Sequence, residues 1–456
     1  RLRVVPDGIG KLCPWTSLAW NDSQPWLPML PSLVGDLDHL NAEEDSGAQG
    51  AQGGSRLQQQ VRLQKHAEPM ASPAPDCTTA LFMTSQGGGG HLAAARALQE
   101  CILDNDESAI ECIELIDAAS LVEASISRDS LPRSHSVYNF LMQNSCYQTA
   151  GLGGYLASYA VKWRQTALEG VFQELWDLKR PSIVVSFIPF FNAAMRASLL
   201  RSLPRCRFVT VVTDMENSAA RPWIDAFDET SVNHAIIVGT ESLELQARHL
   251  GFDGQSVLRC SGRVINSKFS IAKEVFEWQP PPREREKFVI CFGGTAPMKA
   301  QEIAWHVIET FPERDVVVVC GSNSSLFLKL RPLGEDDSAR CVVEAYLSAE
   351  QIRDLFLQAI CVLGKPGAGV ASEAAACRAP MVLESHGLMP QEEAVLKWMT
   401  KLGIAVTVDD FCNLPADLLM QVDECTAALA AQAENRAVFE AADFLQQLMQ
   451  GSSKRF

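Results

Sequence analysis

The chain has 456 residues, of which 47% are hydrophobic and 21% charged, and its net charge is −16. This length exceeds what one hydrophobic core usually serves, so we expect two domains and a tail. The acidic balance argues against nucleic acid as a partner, because non-specific binding to phosphates needs a basic surface. The 14 cysteines contain no Cys-x-x-Cys pair, which predicts a reducing compartment without a zinc site or a disulfide framework. No apolar run approaches the ~18 residues that a membrane span requires.

The first 76 residues have the composition of a tail or linker. Three tryptophans lie among prolines, and residues 41–60 are rich in Gly, Gln, Ala and Glu without hydrophobic periodicity. A segment of this kind buries too little apolar surface to fold alone, so we assign residues 1–76 to a disordered tail or linker. Because the chain begins with Arg1 rather than methionine, we interpret it as a fragment or a processed form.

From residue 77 onward, apolar strand-like runs alternate with helical stretches. Before a triple proline at 280–282 these runs are 80–84, 110–116, 183–187, 208–214 and 235–238. After it they are 288–292, 316–320, 341–343, 360–363, 381–383 and 404–406, and a helical segment at 427–449 ends the chain. Continuous apolar strands between helices are typical of a parallel sheet covered on both faces. We therefore predict an α/β fold with two tandem doubly wound, Rossmann-like domains, 77–277 and 283–450, and an interdomain cleft.

A glycine-rich turn precedes the first predicted helix. Gly87–Gly90 and His91 follow the run 80–84 and lead into a stretch rich in helix formers. Glycines allow positive φ and close approach of a ligand, and the free N–H groups of the new helix face that ligand. His91 has a side chain suited to general base catalysis. An ordinary tight turn with a surface histidine explains this stretch equally well when it is taken alone.

Two more glycine-rich turns follow strands of the second predicted domain. The first is Gly293-Gly294-Thr295, and the second spans residues 364–369. Both predict anion cradles at helix N-termini, where the helix dipole favours negative charge. One ligand held by each domain suits an enzyme with two substrates.

Polar side chains accompany these turns. Glu373 lies about one turn into the helix that starts near Gly369, where a carboxylate can accept two ribose hydroxyls. The alternative is that Glu373 is merely a favourable residue for a first helical turn. Gln391 and Glu392 follow a later strand and are suited to binding sugar hydroxyls.

Five motifs between about residues 78 and 410 resemble glycosyltransferase family 28, which has the GT-B architecture. Their order and spacing together carry the resemblance. The subgroup with the greatest likeness comprises the monogalactosyldiacylglycerol synthases and the bacterial diacylglycerol glucosyltransferases. The motifs are Gly88-Gly89-Gly90-His91; Val212-Thr213-Asp214 with Arg221-Pro222-Trp223; Ser261-Gly262-Arg263-Val264; Lys365-Pro366-Gly367-Ala368-Gly369 through Glu373; and Pro390-Gln391-Glu392.

The resemblance implies roles for individual residues. His91 is the expected catalytic base, and Asp214 is expected either to orient His91 or to bind the acceptor. The residues expected to bind the donor are Gly293, Gly294, Thr295, Lys365, Gly367, Gly369, Val370, Glu373, Gln391 and Glu392. The residues expected to bind the acceptor are Gly88, Gly89, Gly90, Tyr138, Arg221 and Trp223.

The resemblance also implies an activity. It is that of an inverting hexosyltransferase, which moves galactose or glucose from UDP-galactose or UDP-glucose to diacylglycerol or a similar lipid. The UDP-sugar is a substrate, and neither a cofactor nor a metal is expected. Diacylglycerol as acceptor implies a peripheral membrane protein on the cytoplasmic face, or on a plastid envelope in a photosynthetic source. Aromatic and basic residues in 128–165 suit an interfacial segment, although an amphipathic helix packed on the sheet fits them equally well.

Departures from the family motifs leave two alternatives open. Arg221 and Ile188 each stand at a position where the family motifs have histidine. The donor phosphate loop, residues 293–297, is shorter than in the family. One alternative is an enzyme of the same fold that uses UDP-N-acetylglucosamine, either a transferase or an epimerase. The other is a relative that binds nucleotide sugars without catalysis.

Overall fold

The computed structural model describes residues 79–85, 89–106, 108–126, 161–218, 221–272, 275–276, 284–335 and 340–450. The predicted tail at 1–76 lies outside the described residues, as do Gly87, Gly88, Tyr138 and most of the segment 128–165.

The first half forms a six-stranded parallel sheet in the order β2-β1-β3-β4-β5-β6. Its elements are β1 (Thr79–Thr84), α1 (Gly90–Leu103), β2 (Cys112–Asp117), α2 (Ala118–Ile126), α3 (Gln165–Lys179), β3 (Ile183–Ser186), α4 (Asn192–Ser202), β4 (Arg207–Val211), β5 (His234–Val238), α5 (Glu241–His249) and β6 (Val257–Arg259). The short strand β6 has no counterpart among the predicted runs. Only its first residue is buried, so it lacks the apolar run on which the prediction relied.

Both faces of this sheet are covered, as its apolar strands predict. Ala80 and Phe82 of β1 belong to one buried cluster, whereas Leu81 and Met83 belong to another. Successive side chains of a strand point to opposite faces, so each face of β1 meets its own layer of helices. This explains why residues 80–83 of the strand are apolar without interruption rather than alternating.

The second half forms another six-stranded parallel sheet, in the order β12-β11-β10-β7-β8-β9. Its elements are β7 (Lys287–Cys291), α6 (Ala300–Thr310), β8 (Asp315–Val319), α7 (Ser324–Gly334), β9 (Cys341–Glu344), α8 (Ala349–Leu357), β10 (Ala359–Gly364), α9 (Ala368–Ala376), β11 (Met381–Glu384), α10 (Pro390–Leu402), β12 (Ala405–Val408) and α11 (Leu418–Ala430). All six predicted runs of this half are strands. The strand order reverses beside β1 in the first sheet and beside β7 in the second, and ligands bind at the carboxyl ends of strands at such points.

The last helix, α12 (Ala437–Gln450), does not belong with the second sheet. Its apolar side, including Ala441 and Leu445, is buried in the same cluster as Phe82 and Leu98 of the first half. The predicted second domain, 283–450, therefore extends too far, and the predicted helical segment 427–449 covers the end of α11 and most of α12, with the second crossing between them. Periodicity shows that a helix has an apolar face, but it does not show which sheet that face covers.

The chain thus crosses between the sheets twice, and the two crossings are hydrogen-bonded to each other. The Asn435 side chain donates to the Arg263 carbonyl (3.0 Å), and the Arg436 N–H donates to the Ser261 hydroxyl (2.7 Å). The Ser261 N–H in turn donates to the Glu440 carboxylate at 2.6 Å. These bonds fix the first crossing, in which Arg263 lies.

Candidate active site

The glycine-rich loops of the two sheets meet. Gly89 has a φ of 75°, in the left-handed region, and occupies the N-cap position of α1. A Cβ on Gly89 would lie 3.9 Å from the Cα of Gly294 in the loop after β7. Glycine at both positions lets the two backbones approach, which brings the predicted acceptor loop and the predicted donor loop together.

His91 is the second residue of α1, and its side chain is partly buried. Its Nδ1 lies 2.9 Å from the Thr213 hydroxyl oxygen, and its ring centroid is 5.7 Å from that of Trp223. Burial, and next the positive charge of Arg263, lowers the pKa of His91 to about 4, against a smaller opposing effect of a backbone hydrogen bond with Phe187. The imidazole is therefore neutral near pH 7, which is the form that a general base requires.

Asp214 reaches His91 only through another side chain. The indole N–H of Trp223 donates to the Asp214 carboxylate at 2.7 Å, and the Trp223 ring lies beside His91. The side chain that hydrogen-bonds to the histidine ring is that of Thr213, which is buried. Sequence reasoning missed this role because Thr213 precedes the more conspicuous carboxylate in the same motif. Burial raises the pKa of Asp214, opposed by the Trp223 hydrogen bond and by Arg263.

The structure corrects the predicted role of Trp223. Its side chain is fully buried, and its N–H donates a hydrogen bond to Asp214. Trp223 therefore packs beneath the site and has no exposed surface that an acceptor could contact. Arg221 is exposed and takes a left-handed φ of 49°. The two residues of this predicted acceptor motif therefore lie in different surroundings, and Arg221 alone of the pair is open to solvent.

On the donor side, the N-terminus of α9 is open. Gly367 occupies its N-cap position in an extended conformation, and no side chain of the described residues caps the helix there. A Cβ on Gly367 would meet nothing within 4 Å, whereas one on Gly293 would lie 3.4 Å from the Val370 side chain. The loop of Gly293 and the start of α9 are thus adjacent, as an anion cradle requires.

The donor loop is held by backbone and hydroxyl contacts. Gly293 has a φ of 90°, and Thr295 pairs with Gly321 in an isolated backbone bridge. The hydroxyl oxygens of Thr295 and Ser322 are 2.6 Å apart. Sequence reasoning did not assign Gly321 and Ser322, because they follow β8 without a glycine-rich pattern.

Glu373 lies in the second turn of α9 with its side chain partly buried. No hydrogen bond to its carboxylate is formed by another residue of the described ranges. Burial raises its pKa, and the charge of Arg263 opposes this effect. A carboxylate that accepts no hydrogen bond from these residues is available to ligand hydroxyls, and the ribose contact stays a prediction.

Glu392 differs from the prediction that it contacts the sugar. Its side chain is 3% exposed, and its two oxygens lie 2.8 Å from the Lys365 ammonium and 3.0 Å from the Met389 N–H. A buried carboxylate that is paired in this way positions Lys365 and the start of α10, rather than presenting free lone pairs to a hexose. Gln391 beside it is partly exposed.

Arg263, for which the sequence predicted no role, lies between the two halves of the site. Its side chain is 5% exposed and donates to the carbonyls of Thr213 (2.7 Å) and Gly90 (3.1 Å). A Cβ on Gly369 would lie 3.8 Å from its Nη1 atom. Nothing in the sequence distinguishes a buried arginine in a linker from an exposed one, so no signal for it was available.

In the described part of the chain, no helix is both long enough and apolar enough to span a bilayer. The same residues contain no cluster of three or more His, Cys, Asp or Glu side chains able to hold a metal ion.

No family model matches the sequence. Two curated relatives are processive diacylglycerol beta-glucosyltransferases. The one from Bacillus mycoides is 22% identical over 339 residues, covering 72% of this chain and 82% of the relative. The one from Bacillus cytotoxicus is 22% identical over 332 residues, covering 72% and 81%. The chain is similar to diacylglycerol glucosyltransferases.

Solved structures share the fold. The complex of Staphylococcus aureus MnaA with UDP has a TM-score of 0.51 at 10% identity, covering 82% of this chain and 97% of that one. A putative UDP-N-acetylglucosamine 2-epimerase from Listeria monocytogenes has a TM-score of 0.51 at 12% identity, covering 83% and 98%. The predicted GT-B architecture of two α/β domains is confirmed. Together with the relatives, this supports the resemblance to family 28 glycosyltransferases.

Proposed function

We propose that the protein is an inverting glycosyltransferase that moves galactose or glucose from a UDP-sugar to diacylglycerol or a similar lipid. The observation that carries this proposal is the close approach of the loop that precedes His91, at Gly89, to the donor loop at Gly294, which lies beside the uncapped N-terminus of α9. Similarity to diacylglycerol glucosyltransferases over 72% of the chain supports the lipid acceptor.

In the proposed reaction, the acceptor hydroxyl lies above Gly90 and gives its proton to His91. The hydroxyl oxygen attacks the anomeric carbon from the face opposite UDP. The bond between that carbon and the phosphate oxygen breaks, and its electron pair leaves with UDP. A single displacement inverts the α-linked donor to a β-glycoside. The neutral state of His91 supports its role as the proton acceptor.

The donor has its own proposed contacts. The diphosphate lies over Gly293 and the start of α9, whose free N–H groups and helix dipole stabilise the negative charge of the leaving group. Glu373 accepts the ribose hydroxyls, and Gln391 contacts the hexose. Glu392 acts indirectly by positioning Lys365. We propose that this arrangement needs neither a cofactor nor a tightly bound metal.

Peripheral association with a membrane is part of the proposal, on the cytoplasmic face or on a plastid envelope in a photosynthetic source. The described end of the predicted interfacial segment supports it, because Trp163 is 85% exposed and lies between the exposed Lys162 and Arg164. An exposed aromatic ring with flanking cations suits the boundary between headgroups and acyl chains. The remainder of the segment lies outside the described residues.

The test is sugar transfer from radiolabelled UDP-galactose, UDP-glucose or UDP-N-acetylglucosamine to diacylglycerol in liposomes. Wild type is compared with His91→Ala and with a matched control, His249→Ala, which removes an exposed histidine from α5. We expect a β-glycolipid from wild type and from the control but not from His91→Ala. Conversion of a free UDP-sugar without acceptor would instead identify an epimerase, and UDP binding without any product would identify a non-catalytic relative.

A further inference from the structure

Arg263 is a buried cation whose side-chain hydrogen bonds within the described residues all go to backbone carbonyls. It donates from Nε to Thr213, from Nη1 to Val264 at 3.2 Å, and from Nη2 to Gly90. No carboxylate of the described residues lies within salt-bridge distance of its guanidinium. Placing a cation in the protein interior costs free energy, so a position that serves packing alone would favour an apolar residue.

The carbonyl partners of Arg263 are those that determine where His91 lies. Gly90 directly precedes His91 in α1, and the Thr213 residue whose carbonyl Arg263 binds also holds the histidine Nδ1 through its hydroxyl. Removing the guanidinium would therefore release the backbone on both sides of the imidazole.

The charged groups around Arg263 and His91 lie on three elements. Arg263 in the crossing repels a proton on the imidazole. Asp214, after β4, and Glu373, on α9, attract the guanidinium of Arg263 and remain beyond salt-bridge distance of it. The Arg263 Nη1 atom lies beside Gly369 at the start of α9, so the same cation borders both the acceptor loop and the donor helix.

We propose that Arg263 is a positioning residue that holds His91 in place through the carbonyls of Gly90 and Thr213, and that its guanidinium also borders the start of the donor helix. The assignment of His91 as base rests on the proposed function, whereas the effect of Arg263 on the imidazole does not. The hydrogen bonds provide the position, and the charge disfavours a second proton on the ring. Burial and this charge together keep the pKa of His91 at about 4.

Two substitutions separate the charge from the hydrogen bonds. Arg263→Lys keeps a positive charge but loses the planar set of donors, whereas Arg263→Met removes both. The matched control is Arg285→Met, because Arg285 is also buried and also donates to a backbone carbonyl, that of Ala359. It lies at the start of the second sheet and not beside His91.

The direct readout is NMR titration of histidine labelled at Cε1, with His91 assigned from a His91→Gln variant. We expect His91 to titrate at higher pH in Arg263→Met and to stay near its wild-type value in Arg263→Lys and Arg285→Met. This measurement needs no catalysis, so it remains decisive if wild type transfers no sugar. An unchanged His91 titration in Arg263→Met would overturn the proposal.

Kinetics provide the second readout. We expect kcat to fall on the order of tenfold or more in both Arg263 variants, because displacement of a catalytic group by about 1 Å is costly. The ratio of the activity at pH 5 to that at pH 8 should be roughly twofold or more lower in Arg263→Met than in wild type, because more of the histidine is protonated at pH 5. Circular dichroism and thermal melting show whether each variant is folded, and calorimetry measures its affinity for UDP separately. A large loss of UDP affinity at unchanged kcat would make Arg263 a donor ligand and would refute the positioning role.

Discussion

His91→Ala tests the candidate site most directly. The substitution removes the imidazole that Thr213 and Trp223 hold at the start of α1. General base catalysis contributes about 10²–10⁴-fold, so kcat should fall by that factor, equivalent to roughly 3–5 kcal/mol of activation free energy. The helix should persist in the variant, since alanine is the best helix former.

The pH dependence of wild-type kcat tests the protonation state of His91. With a pKa of about 4, His91 stays neutral as the pH falls to 6, whereas a histidine with the ordinary value of 6.5 would then be only about one-quarter neutral. Wild-type kcat should therefore be nearly constant between pH 6 and 8 and decline only toward pH 4. The assay is transfer of labelled sugar to diacylglycerol in mixed micelles, at saturating donor, with His249→Ala as control. Near-normal activity in His91→Ala, or a wild-type limb near pH 6.5, would refute the reasoning.

Three further predictions concern stability, donor binding and the membrane. Leu445→Ala should lower the free energy of unfolding by about 2–5 kcal/mol in a denaturant titration, because Leu445 is fully buried, while the exposed Gln447→Ala should change it little. Glu373→Gln should weaken UDP binding about tenfold by calorimetry, because the charge-assisted contacts to the ribose hydroxyls are lost. Binding of a 2′,3′-dideoxy analogue, which lacks those hydroxyls, should be unchanged. Equal losses of affinity for both ligands would contradict the ribose contact. Trp163→Ala should reduce co-sedimentation with anionic vesicles, and undiminished binding would remove this residue from the membrane surface.

The linear pattern predicted the strands well where both faces are buried. Residues 80–83 of β1 are apolar without interruption because Leu81 and Phe82 point into different clusters, and such runs are visible in a sequence. The three-residue strand β6 was missed, since its position at the sheet edge leaves it mostly uncovered. The place of α12 was also wrong, because the choice of partner sheet is made in space and leaves no trace in periodicity.

In the candidate site, too, some features could be predicted from the sequence and others could not. Glycine turns and the histidine were recognisable because positive φ and proton transfer each demand particular residue types. The contacts of Thr213 and Arg263 were not recognisable, because their partners are distant in the sequence. Thr213 lies 122 positions from His91, and Arg263 lies 173 positions from Gly90. Trp223 and Glu392 were expected to contact ligands, but both are buried. They support neighbouring residues of the site instead. A motif indicates which residues lie near the site, whereas burial decides which of them a ligand can reach.

Gly262 offers a test of whether the double crossing controls the site. A Cβ on Gly262 would lie 2.8 Å from the Asn435 side chain, which is closer than such atoms can approach. Because that side chain donates to the Arg263 carbonyl, Gly262→Ala should displace both the Asn435 amide and the crossing that holds Arg263. Overpacking of this kind costs typically about 1–3 kcal/mol of unfolding free energy, and we expect kcat to fall with it.

Asn435→Ala removes the obstructing amide at the expense of its hydrogen bond to Arg263, so the two substitutions should not be additive. If the clash is the cause, the double variant should be more stable than the sum of the single changes predicts, by about 0.5–3 kcal/mol in a double-mutant cycle. Its kcat should also exceed that of Gly262→Ala alone, because the crossing can return toward its original position. Strict additivity of both quantities would mean that Gly262 acts independently of Asn435, and that the crossing does not transmit strain to Arg263.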